Sequence, residues 1–463
     1  MYAKKLSIYE FRCFGRAVLD LQYPGRPEAS ALEMPNVNLI VGDNGGGKSS
    51  VLRAIALAAL APAMLESGFV PYRLVRRPGA KNALLKLICE LDPIELLKGP
   101  RDSTTIELLA RIDLRGRGSL DRLHLDKTPS SPIERLIYDD YSPAFFVVGY
   151  GATRRTETGE FSEGSARRSR GLRYQRVAGL FEDQVTLRPM ESWFKQLDSQ
   201  RRRDEALRKL SSVLPPQLKF DGVFDREEQQ FEFTYEGRTT PFNALSDGYK
   251  AFVSWVGDLI GHLCTVAPEN TPIDRLSGIV LIDEIDLHLH PAWQRTIVPT
   301  LAVAFPKIQF VMTTHSPLIA NTVRKENIFV TETADDGTAT IKQILENVHG
   351  RGADQLLLSS YFGLQSTLPP SLDLKSKSLF SKAAEGDGAA ALAFLEQLSA
   401  PRQTGQELVP AIRAALSEPI VGLKKRPSRK KKKPSLKRKN AKKAAASKRP
   451  AKTSKRSVKK KQK

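Results

Sequence analysis

The stretch Gly42-Asp43-Asn44-Gly45-Gly46-Gly47-Lys48-Ser49 decides the fold, because it fits the pattern G-x-x-x-x-G-K-[ST] at every position. An apolar run at 37–41 predicts a strand before it, and an Ala- and Leu-rich run at 48–60 predicts a helix after it. Glycines let the backbone turn tightly, so that several amide N–H groups point at phosphate oxygens in front of a helix N-terminus. We expect this loop and the following Ser50 to bind nucleotide phosphates. Lys48 would reach the β- and γ-phosphates, and Ser49 would ligate Mg²⁺.

An acidic pair, Asp283 and Glu284, ends a second apolar strand in the run GIVLIDE at 278–284. A carboxylate at the end of a buried strand is costly unless it meets a cation, and Mg²⁺ beside Ser49 would supply one. Glu284, one position further on, is suited to polarise an attacking water as a general base. The pair therefore predicts the second half of a Mg²⁺–nucleotide site.

Two shorter motifs accompany this pair. The run LSDGYK at 245–250 predicts a helix start with Ser246 as the N-cap, and the free N–H groups and hydroxyl of such a start also suit a γ-phosphate. The run FVMTTHSP at 310–317 places His315 just past a buried strand, 32 positions after Asp283. His315 can hydrogen-bond a γ-phosphate, although a lone histidine is more often structural.

The remaining pattern alternates strands with helices, which predicts an α/β fold with a mainly parallel core sheet and ligands at the carboxyl ends of its strands. The Gly-, Ser- and Arg-rich segment 151–176 is expected to be irregular. The other predicted elements are a hairpin at 3–24, strands within 83–113, a strand at 145–148, a helix at 190–210, two strands within 218–237, a helix after Ser246, strands at 279–282 and 308–312, a helix at 291–304, a hairpin at 328–344 and helical structure at 351–416.

The net charge of +21 comes from one end of the chain. Residues 424–463 carry 22 Lys and Arg and no Asp or Glu, and the remaining residues carry 50 basic and 51 acidic side chains. We expect this tail to be disordered and to bind nucleic acid, with an acidic protein or a merely solubilising role as alternatives. Three Arg-rich runs, at 154–155, 167–176 and 201–203, are interpreted as solvated loops in preference to DNA contacts.

Cysteine usage and hydropathy indicate an intracellular protein. Cys13, Cys89 and Cys264 are widely separated and form no C-x-x-C pair, so we interpret them as core residues in a reduced cytosol. The longest apolar stretch, at 51–65, is interrupted by Arg53 and is too short to cross a bilayer, and the N-terminus has no apolar signal core. We expect a cytoplasmic protein without a membrane partner, associated with the nucleoid if the tail binds DNA.

With these motifs in this order, the sequence resembles the ABC-type ATPases of the SMC, RecF and OLD kind. It is more closely similar to the compact bacterial AAA-type ATP-binding proteins that include Septu-type antiphage ATPases. The resemblance covers about residues 3–345, and the helical segment to about 416 more weakly. Besides the glycine-rich loop with Asn44, it rests on the opening KKLSIYEFRCFGRAVLDL at 4–21, LSDGYK, IDEIDLHLHP at 282–291 and TTHSP at 313–317.

The resemblance implies an ABC-type P-loop NTPase head at 1–345, with an N-terminal antiparallel β subdomain and a helical signature lobe at about 151–269. A C-terminal helical segment at 346–420 and the basic tail at 421–463 would follow. It also implies a head-to-head homodimer that binds ATP and Mg²⁺, with Lys48, Glu284 and His315 as catalytic residues. Ser246 and Gly248 would contact the ATP bound to the other subunit, and Arg12 would be a further phosphate contact.

The sequence also departs from this group in two places. His290 stands where classical members carry an aspartate, and we interpret His288 and His290 as dimer contacts in preference to a metal pair. No glutamine marks the loop after 148–151 that couples the two lobes in related ATPases; Tyr150 and Arg154 stand there instead.

Three better-known functions fit the sequence poorly. A transport ATPase is disfavoured by the missing glutamine and the polycationic tail, and a chromosome tether would need long heptad helices. A nuclease of the OLD kind would carry a D-x-D pair after His315, which is absent. We therefore expect an ATP-driven switch that acts on DNA or on a separate effector such as a nuclease, in antiphage defence or DNA repair. The alternative is an assembly switch with no nucleic-acid role.

Overall fold

The computed structural model describes residues 1–29, 32–77, 79–92, 95, 104–115, 120–125, 136–155 and 170–399, and the chain divides into two compact units, Met1–Pro369 and Pro370–Lys463. The strands are β1 Tyr2–Phe11, β2 Phe14–Asp20, β3 Val37–Gly42, β4 Asn82–Glu90, β5 Thr105–Leu114, β6 Asp121–His124, β7 Val147–Tyr150, β8 Leu218–Lys219, β9 Phe224–Asp225, β10 Gln230–Tyr235, β11 Arg238–Pro241, β12 Gly278–Ile282, β13 Ile308–Thr313, β14 Ile328–Thr333 and β15 Ala339–Lys342. The α-helices are α1 Lys48–Glu66, α2 Leu172–Val177, α3 Met190–Phe194, α4 Gln200–Val213, α5 Asp247–Val266, α6 Pro291–Gln294, α7 Ile297–Ala304, α8 Pro317–Ala320, α9 Ala353–Leu357, α10 Pro370–Ala384 and α11 Gly388–Ser399.

A parallel core brings the conspicuous motifs to one edge of a sheet. Its strand order is β7-β12-β13-β3-β14, and every neighbouring pair within it is parallel. All residues of β12 and β13 are buried, as expected for central strands covered on both faces. The carboxyl ends of β3, β12 and β13 therefore lie side by side, which confirms the predicted α/β class with a parallel core.

The N-terminal hairpin continues the same sheet instead of forming a separate one. β1 pairs with β2 and β4, and β5 and β6 extend this antiparallel half to give an 11-stranded sheet. The two halves join where Ala339 of β15 pairs with Phe14 of β2. α1 packs against both halves of the sheet, on β4 and β5 of the antiparallel half and on β3 and β13 of the parallel core. Its apolar residues from Val51 to Leu57 are buried in one hydrophobic cluster with the hairpin.

α1 is long and apolar enough to cross a membrane by length and composition alone, and among the described residues no other helix is. In this fold it is a core helix, because 72% of its apolar window is buried. The helix runs beyond the predicted end at residue 60, through Pro62, with non-helical angles at Leu60 (φ −124°). A proline inside a helix removes one backbone hydrogen bond, which explains the local distortion.

A second, four-stranded sheet, with β10 pairing β8, β9 and β11, lies in the segment predicted to hold two strands. Its inner face is aromatic: Phe231 and Phe233 pack around Phe220, with ring centroids 5.4 and 4.8 Å away. α5, which begins after Ser246 as predicted, is buried along most of its length, and α3 and α4 pack against it. The lobe between β7 and β12 is therefore mixed in secondary structure.

Three helices that the sequence predicts as continuous are interrupted in the structure. The one at 190–210 is split into α3 and α4, because Asp198 and Ser199 favour extended backbone, and Ser199 precedes α4 at ψ 125°. The one at 291–304 is split into α6 and α7, a break that places Pro299 in the first turn of α7, where its missing N–H costs little. Helical structure at 351–416 is limited to α9, α10 and α11 within the described residues.

The strand predicted at 145–148 starts two residues later, because Phe145 has a left-handed φ of 54°. The prediction of solvated arginine runs was also wrong at three positions. Arg173 and Arg176 lie on the short helix α2 and Arg202 on α4, and their exposed fractions are 1%, 3% and 8%. Arg173 alone donates to four carbonyl oxygens, those of Leu136, Asp139, Ala144 and Phe145. These side chains hold loops together from inside and offer no surface to DNA.

In the second unit, α10 and α11 form a helical pair whose Phe380 and Phe394 rings are 5.5 Å apart. The rest of the predicted helical segment, 400–420, and the basic tail at 421–463 lie outside the described residues, as does the part of the irregular segment at 156–169.

Candidate functional site

The loop between β3 and α1 has a backbone shape that side chains would block. Gly42 has φ +137°, and a Cβ there would lie 2.3 Å from the Thr331 carbonyl oxygen. Gly47 has φ +93°, and a Cβ there would lie 2.6 Å from the sulfur of Cys13. Gly45 also has positive φ, at +81°. The loop therefore follows a tight course into the N-terminus of α1, the backbone cradle that phosphate oxygens require.

Lys48 is the first residue of α1, with an exposed fraction of 6%. Its Nζ donates to the carbonyl oxygens of Gly42 and Asp43, both at 2.9 Å, so the side chain folds back along the loop. Burial lowers the pKa of Lys48, while the negative charges of nearby carboxylates, led by Asp283 and Glu284, oppose that shift. The lysine, the loop and the acidic pair therefore form one electrostatic unit, as the sequence predicts.

One hydroxyl ties the acidic pair to the neighbouring strand. Thr313, the last residue of β13, donates from Oγ1 to Asp283 Oδ1 at 2.6 Å and accepts the Glu284 N–H at 2.8 Å. Glu284 has φ 49°, a left-handed conformation that costs a non-glycine residue about 1 kcal/mol or more unless its surroundings fix it. Thr313 therefore helps to hold the proposed general base in a strained backbone position.

Arg154 fixes the same two residues from the other side. It follows β7, and its Nη2 donates to the carbonyl oxygens of Asp283 at 2.6 Å and Glu284 at 2.5 Å. Burial lowers the pKa of Arg154 to about 10, against the opposing effect of the acidic charges nearby, so it stays cationic at neutral pH. This side chain occupies the place where sequence comparison leads one to look for a coupling glutamine, and it contacts the acidic pair directly.

A third carboxylate, that of Asp286, fixes the backbone position of His315. Asp286 Oδ1 accepts from the Thr314 hydroxyl at 2.5 Å and from the His315 backbone N–H at 3.3 Å. The next residue, Ser316, donates from its hydroxyl to Gln294 at 2.7 Å and caps α8. The half-buried His315 is thus held by its backbone at the end of β13, beside the strand that carries the acidic pair.

Two arginines lie near the start of α1, which are Arg12 in the N-terminal hairpin and Arg53 in α1 itself. Arg12 sits at the hairpin turn with φ 52°, and its guanidinium has no hydrogen bond or ion pair to any residue that the structure describes. Burial lowers its pKa, and the charge of Arg53 lowers it further, so the two groups are near neighbours. Ser49 is half-buried, and Ser50 is buried within hydrogen-bonding reach of Cys13. Arg12 is thus available for an anion, as the resemblance implies.

Ser246 and Gly248 lie apart from this cluster. Both stand at the start of α5, where Ser246 occupies the N-cap position as predicted, but it is exposed and its side chain makes no capping hydrogen bond. A Cβ at Gly248 would lie 2.6 Å from the His288 carbonyl oxygen, so the signature turn packs on the loop after the acidic pair. The structure describes no contact between either residue and the glycine-rich loop of the same chain.

The histidine pair does not form a metal centre within the described part of the chain, where no group of three or more His, Cys, Asp or Glu side chains could hold an ion. His290 Nδ1 accepts the Ala292 N–H at 3.2 Å and caps α6. His288 is exposed with φ 63°. Their contact with a second copy of the chain stays a prediction.

The motif residues that follow β3, β12 and β13 thus lie close together. Sequence reasoning missed four further residues of the site, which are Thr313, Thr314, Asp286 and Thr331. Thr313, Thr314 and Asp286 lie inside the quoted motifs, but nothing in their spacing marks them as hydrogen-bond partners. Thr331, whose carbonyl lies against Gly42, comes from β14 and carries no motif. A carbonyl and a hydroxyl that restrict the loop cannot be recognised until the strand order is known.

The residues fit ATP and Mg²⁺. The glycine cradle admits only backbone, Lys48 supplies a cation, and oxygen ligands of the kind that Mg²⁺ prefers are present in Ser49 and Asp283.

Comparisons with known proteins decide the family. A family model described as "AAA domain, putative AbiEii toxin, Type IV TA system" matches residues 37–321, more than half of the chain. The chain belongs to this family. A second AAA-domain model matches residues 5–62, which include the hairpin and the glycine-rich loop. This AAA-type chain is accordingly a homologue of P-loop ATPases.

Individual relatives agree with the family. The Septu protein PtuA of Bacillus mycoides (strain KBAB4) is 26% identical over 370 residues, which is 80% of this chain and 46% of that protein. The Retron Ec83 probable ATPase of Escherichia coli is 46% identical over 87 residues, 19% of this chain and 16% of that protein. An SMC head bound to the C-terminal winged-helix domain of ScpA aligns with a TM-score of 0.45 and 17% identity, over 75% of this chain and 98% of that one. This chain spans about half the length of the Bacillus mycoides Septu relative and a smaller share of the retron ATPase.

Replacing Thr313 with Val should slow ATP turnover while leaving nucleotide binding nearly unchanged. The substitution keeps the volume but removes the hydroxyl between Asp283 and Glu284, so the general base loses a positioning contact. We expect turnover to fall roughly tenfold to a hundredfold, as for a small misplacement of a catalytic group. Thr340→Val, at an exposed position of β15, is the matched control. Equal turnover in the two variants would show that the hydroxyl does not position Glu284.

Proposed function

We propose that this protein hydrolyses ATP to ADP and phosphate at the edge where β3, β12 and β13 end. The observation that supports this most directly is the convergence of Lys48, Glu284 and His315 there, each on a different strand end. Glu284 would accept a proton from water while the water oxygen bonds to the γ-phosphorus and the β–γ bridging bond breaks. Lys48 and His315 would hold γ-phosphate oxygens during that step.

The backbone cradle at Gly42–Gly47 would orient the phosphates, and Ser49 and Asp283 would hold the metal ion. Mg²⁺, when bound, neutralises charge on the phosphate oxygens. Asp283 keeps one carboxylate oxygen bonded to Thr313, which fixes the direction of the other. Arg12, with no described partner, would reach a phosphate from the hairpin side.

Glu284→Gln should bind Mg-ATP but hydrolyse it at least a hundredfold more slowly, because water loses its base while the cradle persists. Binding is measured by titration with a fluorescent ATP analogue, and turnover by phosphate release. Glu332→Gln, which removes an exposed carboxylate paired with Lys342 at 2.8 Å on β14 and β15, is the matched control. Turnover of Glu284→Gln within a few-fold of this control would show that Glu284 is not the general base.

We further propose that each site is completed by a second copy of the chain, in a head-to-head homodimer. Ser246 and Gly248 offer a hydroxyl and the N-terminus of a 20-residue helix, a favourable setting for anionic phosphate. Because Ser246 is exposed, Gly248 is half-buried and neither has a described contact with its own glycine-rich loop, a phosphate bound to a partner copy is the natural ligand. His288 lies on the same surface beside Gly248 and would join that contact.

Mixing two inactive variants should restore activity. Ser246→Arg and Lys48→Ala damage opposite halves of a shared site, so a mixed dimer keeps one intact site and one doubly damaged site. With random pairing, an equal mixture should show about a quarter of wild-type turnover. Mixing Lys48→Ala with Glu284→Gln is the control, because both lesions lie in the same half and every site stays damaged. Equal recovery in the two mixtures, or none in either, would contradict the shared site.

The similarity to a Septu protein and to a retron ATPase supports a role in antiphage defence, with a separate effector such as a nuclease switched by the ATP cycle. A cytoplasmic location follows from that role. The basic tail supports a nucleic-acid partner for the same switch. Three arginines of the body runs, Arg173, Arg176 and Arg202, are buried, so the 22 positive charges of residues 424–463 are the strongest candidates for phosphate contacts. An assembly switch without nucleic acid is the alternative.

Removing the tail should weaken binding to duplex DNA without changing basal ATPase. Each phosphate neutralised releases counterions, so with about six to ten contacts the affinity of the full chain should fall on the order of a thousandfold between about 50 and 200 mM salt. A chain ending at Val421 should show weak affinity and a shallow salt slope, with little sequence preference in either protein. A full-length variant with the tail Lys and Arg changed to Gln separates charge from length. Equal affinity of the full chain, the truncated chain and the Gln variant would show that DNA binds to the body of the protein or does not bind at all.

A further inference from the structure

A small cavity lies beside Arg154, the side chain that contacts the carbonyl oxygens of the acidic pair. Its volume is about 30 Å³, enough for one or two waters or one small ion. It lies between the end of β7, the helix α2 and the buried half of α5. The polar side chains that line it and matter here are those of Tyr150, Arg154, Arg176, Arg188, Asp258 and His262.

Arg176 enters this cavity without enough partners. Its exposed fraction is 3%, and its Nη2 donates to the Asp140 carbonyl oxygen at 3.1 Å. Its Nε and Nη1 are buried and have no hydrogen-bond partner among the described residues. The ring of Phe146, 5.5 Å from Cζ, offers a further cation–π contact. A buried charged donor left unpaired costs several times more than a missing surface contact.

The carboxylate that lines the cavity is already occupied. Asp258 accepts from the Tyr150 hydroxyl at 2.9 Å and from the Arg188 backbone N–H at 3.0 Å, and it pairs with His262 at 3.3 Å. The nearby Asp140 attracts Arg176 through its charge, but its two oxygens accept the N–H groups of Leu172 and Arg173. Neither carboxylate therefore satisfies the free nitrogens of Arg176.

Among the described residues that line the cavity, arginines outnumber carboxylates. Arg188 and Arg154 line it together with Arg176, whereas Asp258 is the sole carboxylate among the described lining residues. Burial lowers the pKa of Arg176 to about 10, and the charges of Arg173 and Arg188 contribute, yet the group remains charged at neutral pH. Burial also lowers the pKa of His262, so its imidazole is neutral there. Water could fill the space, but it could not offset this charge.

We propose that this cavity binds one small inorganic anion, chloride or an oxyanion no larger than phosphate, through Arg176 and Arg188. The anion would bridge α2 to the segment before α3 and would rest against Arg154, which contacts the carbonyl oxygens of Asp283 and Glu284. It would thereby stabilise the junction between the core sheet and α5. This site is separate from the glycine-rich loop and does not depend on ATP hydrolysis.

The test is thermal unfolding of the full-length Lys48→Ala protein, in which the glycine-rich loop no longer binds phosphate well. Ionic strength and pH are held constant while gluconate, which is too large for the cavity, is replaced by chloride, sulfate or phosphate. A ligand at about ten times its dissociation constant should raise the melting temperature by roughly 2 °C. A shift with all three anions indicates recognition of charge alone, and a shift with the two oxyanions only indicates recognition by several donors.

Adding Arg176→Met should abolish the shift, and the melting temperature in gluconate should be unchanged or higher because an unpaired charge is gone. Arg201→Met, at an exposed position of α4, should keep the shift and serves as the matched control. If Arg176→Met does not fold, Arg188→Met decides, since it leaves Arg176 in place. The proposal is overturned if no anion shifts the parent, or if the folded cavity variant shifts as much as the Arg201 control.

Discussion

A carboxylate buried at the end of a fully buried strand is the constraint on which the rest of this structure depends. Asp283 is 7% exposed, and every residue of the strand before it is buried. Such a charge is stable only with donors and cations close by. Thr313 supplies a donor from the adjacent strand, and Lys48 and Arg53 supply positive charge from α1. The strand order that places β13 between β3 and β12 makes these contacts simultaneous.

Much of this arrangement could be predicted, because the loop and both strands have local signals. Period and composition placed β3, β12 and β13 within a residue and the start of α1 correctly, although α1 ends six residues later than predicted, and the GKS ending identified Lys48. The helix breaks at Ser199 and before Pro299 also have local causes, but these signals were outweighed by the apolar periodicity on either side. Tertiary packing determined which signal prevailed.

Contacts between residues that are far apart in the chain could not be predicted from the sequence. Thr313 and Glu284 are 29 positions apart, and Arg154 and Glu284 are 130 apart. A threonine at a strand end and an arginine in a Gly-rich run are common and unremarkable alone. The arginine runs illustrate the same limit, because local charge density does not report burial: Arg173 is surrounded by carbonyl oxygens, whereas Arg201 on the next long helix is exposed.

The resting contacts of Lys48 bear on how the proposed site would use its binding energy. Its ammonium already has two carbonyl acceptors at 2.9 Å, so binding a phosphate exchanges hydrogen bonds and does not create them from nothing. The net gain for ground-state binding is therefore modest, on the order of 1 kcal/mol. The loop amides and the start of α1 have no comparable exchange to make and would carry most of the ground-state affinity. Contacts of Lys48 that strengthen as charge shifts between the phosphate oxygens would lower the barrier instead. In the proposed mechanism, Lys48 would therefore contribute less to holding ATP than to cleaving it. The contacts of Glu284 with Thr313 and Arg154 would serve the same end, because they fix the proposed base before the substrate arrives.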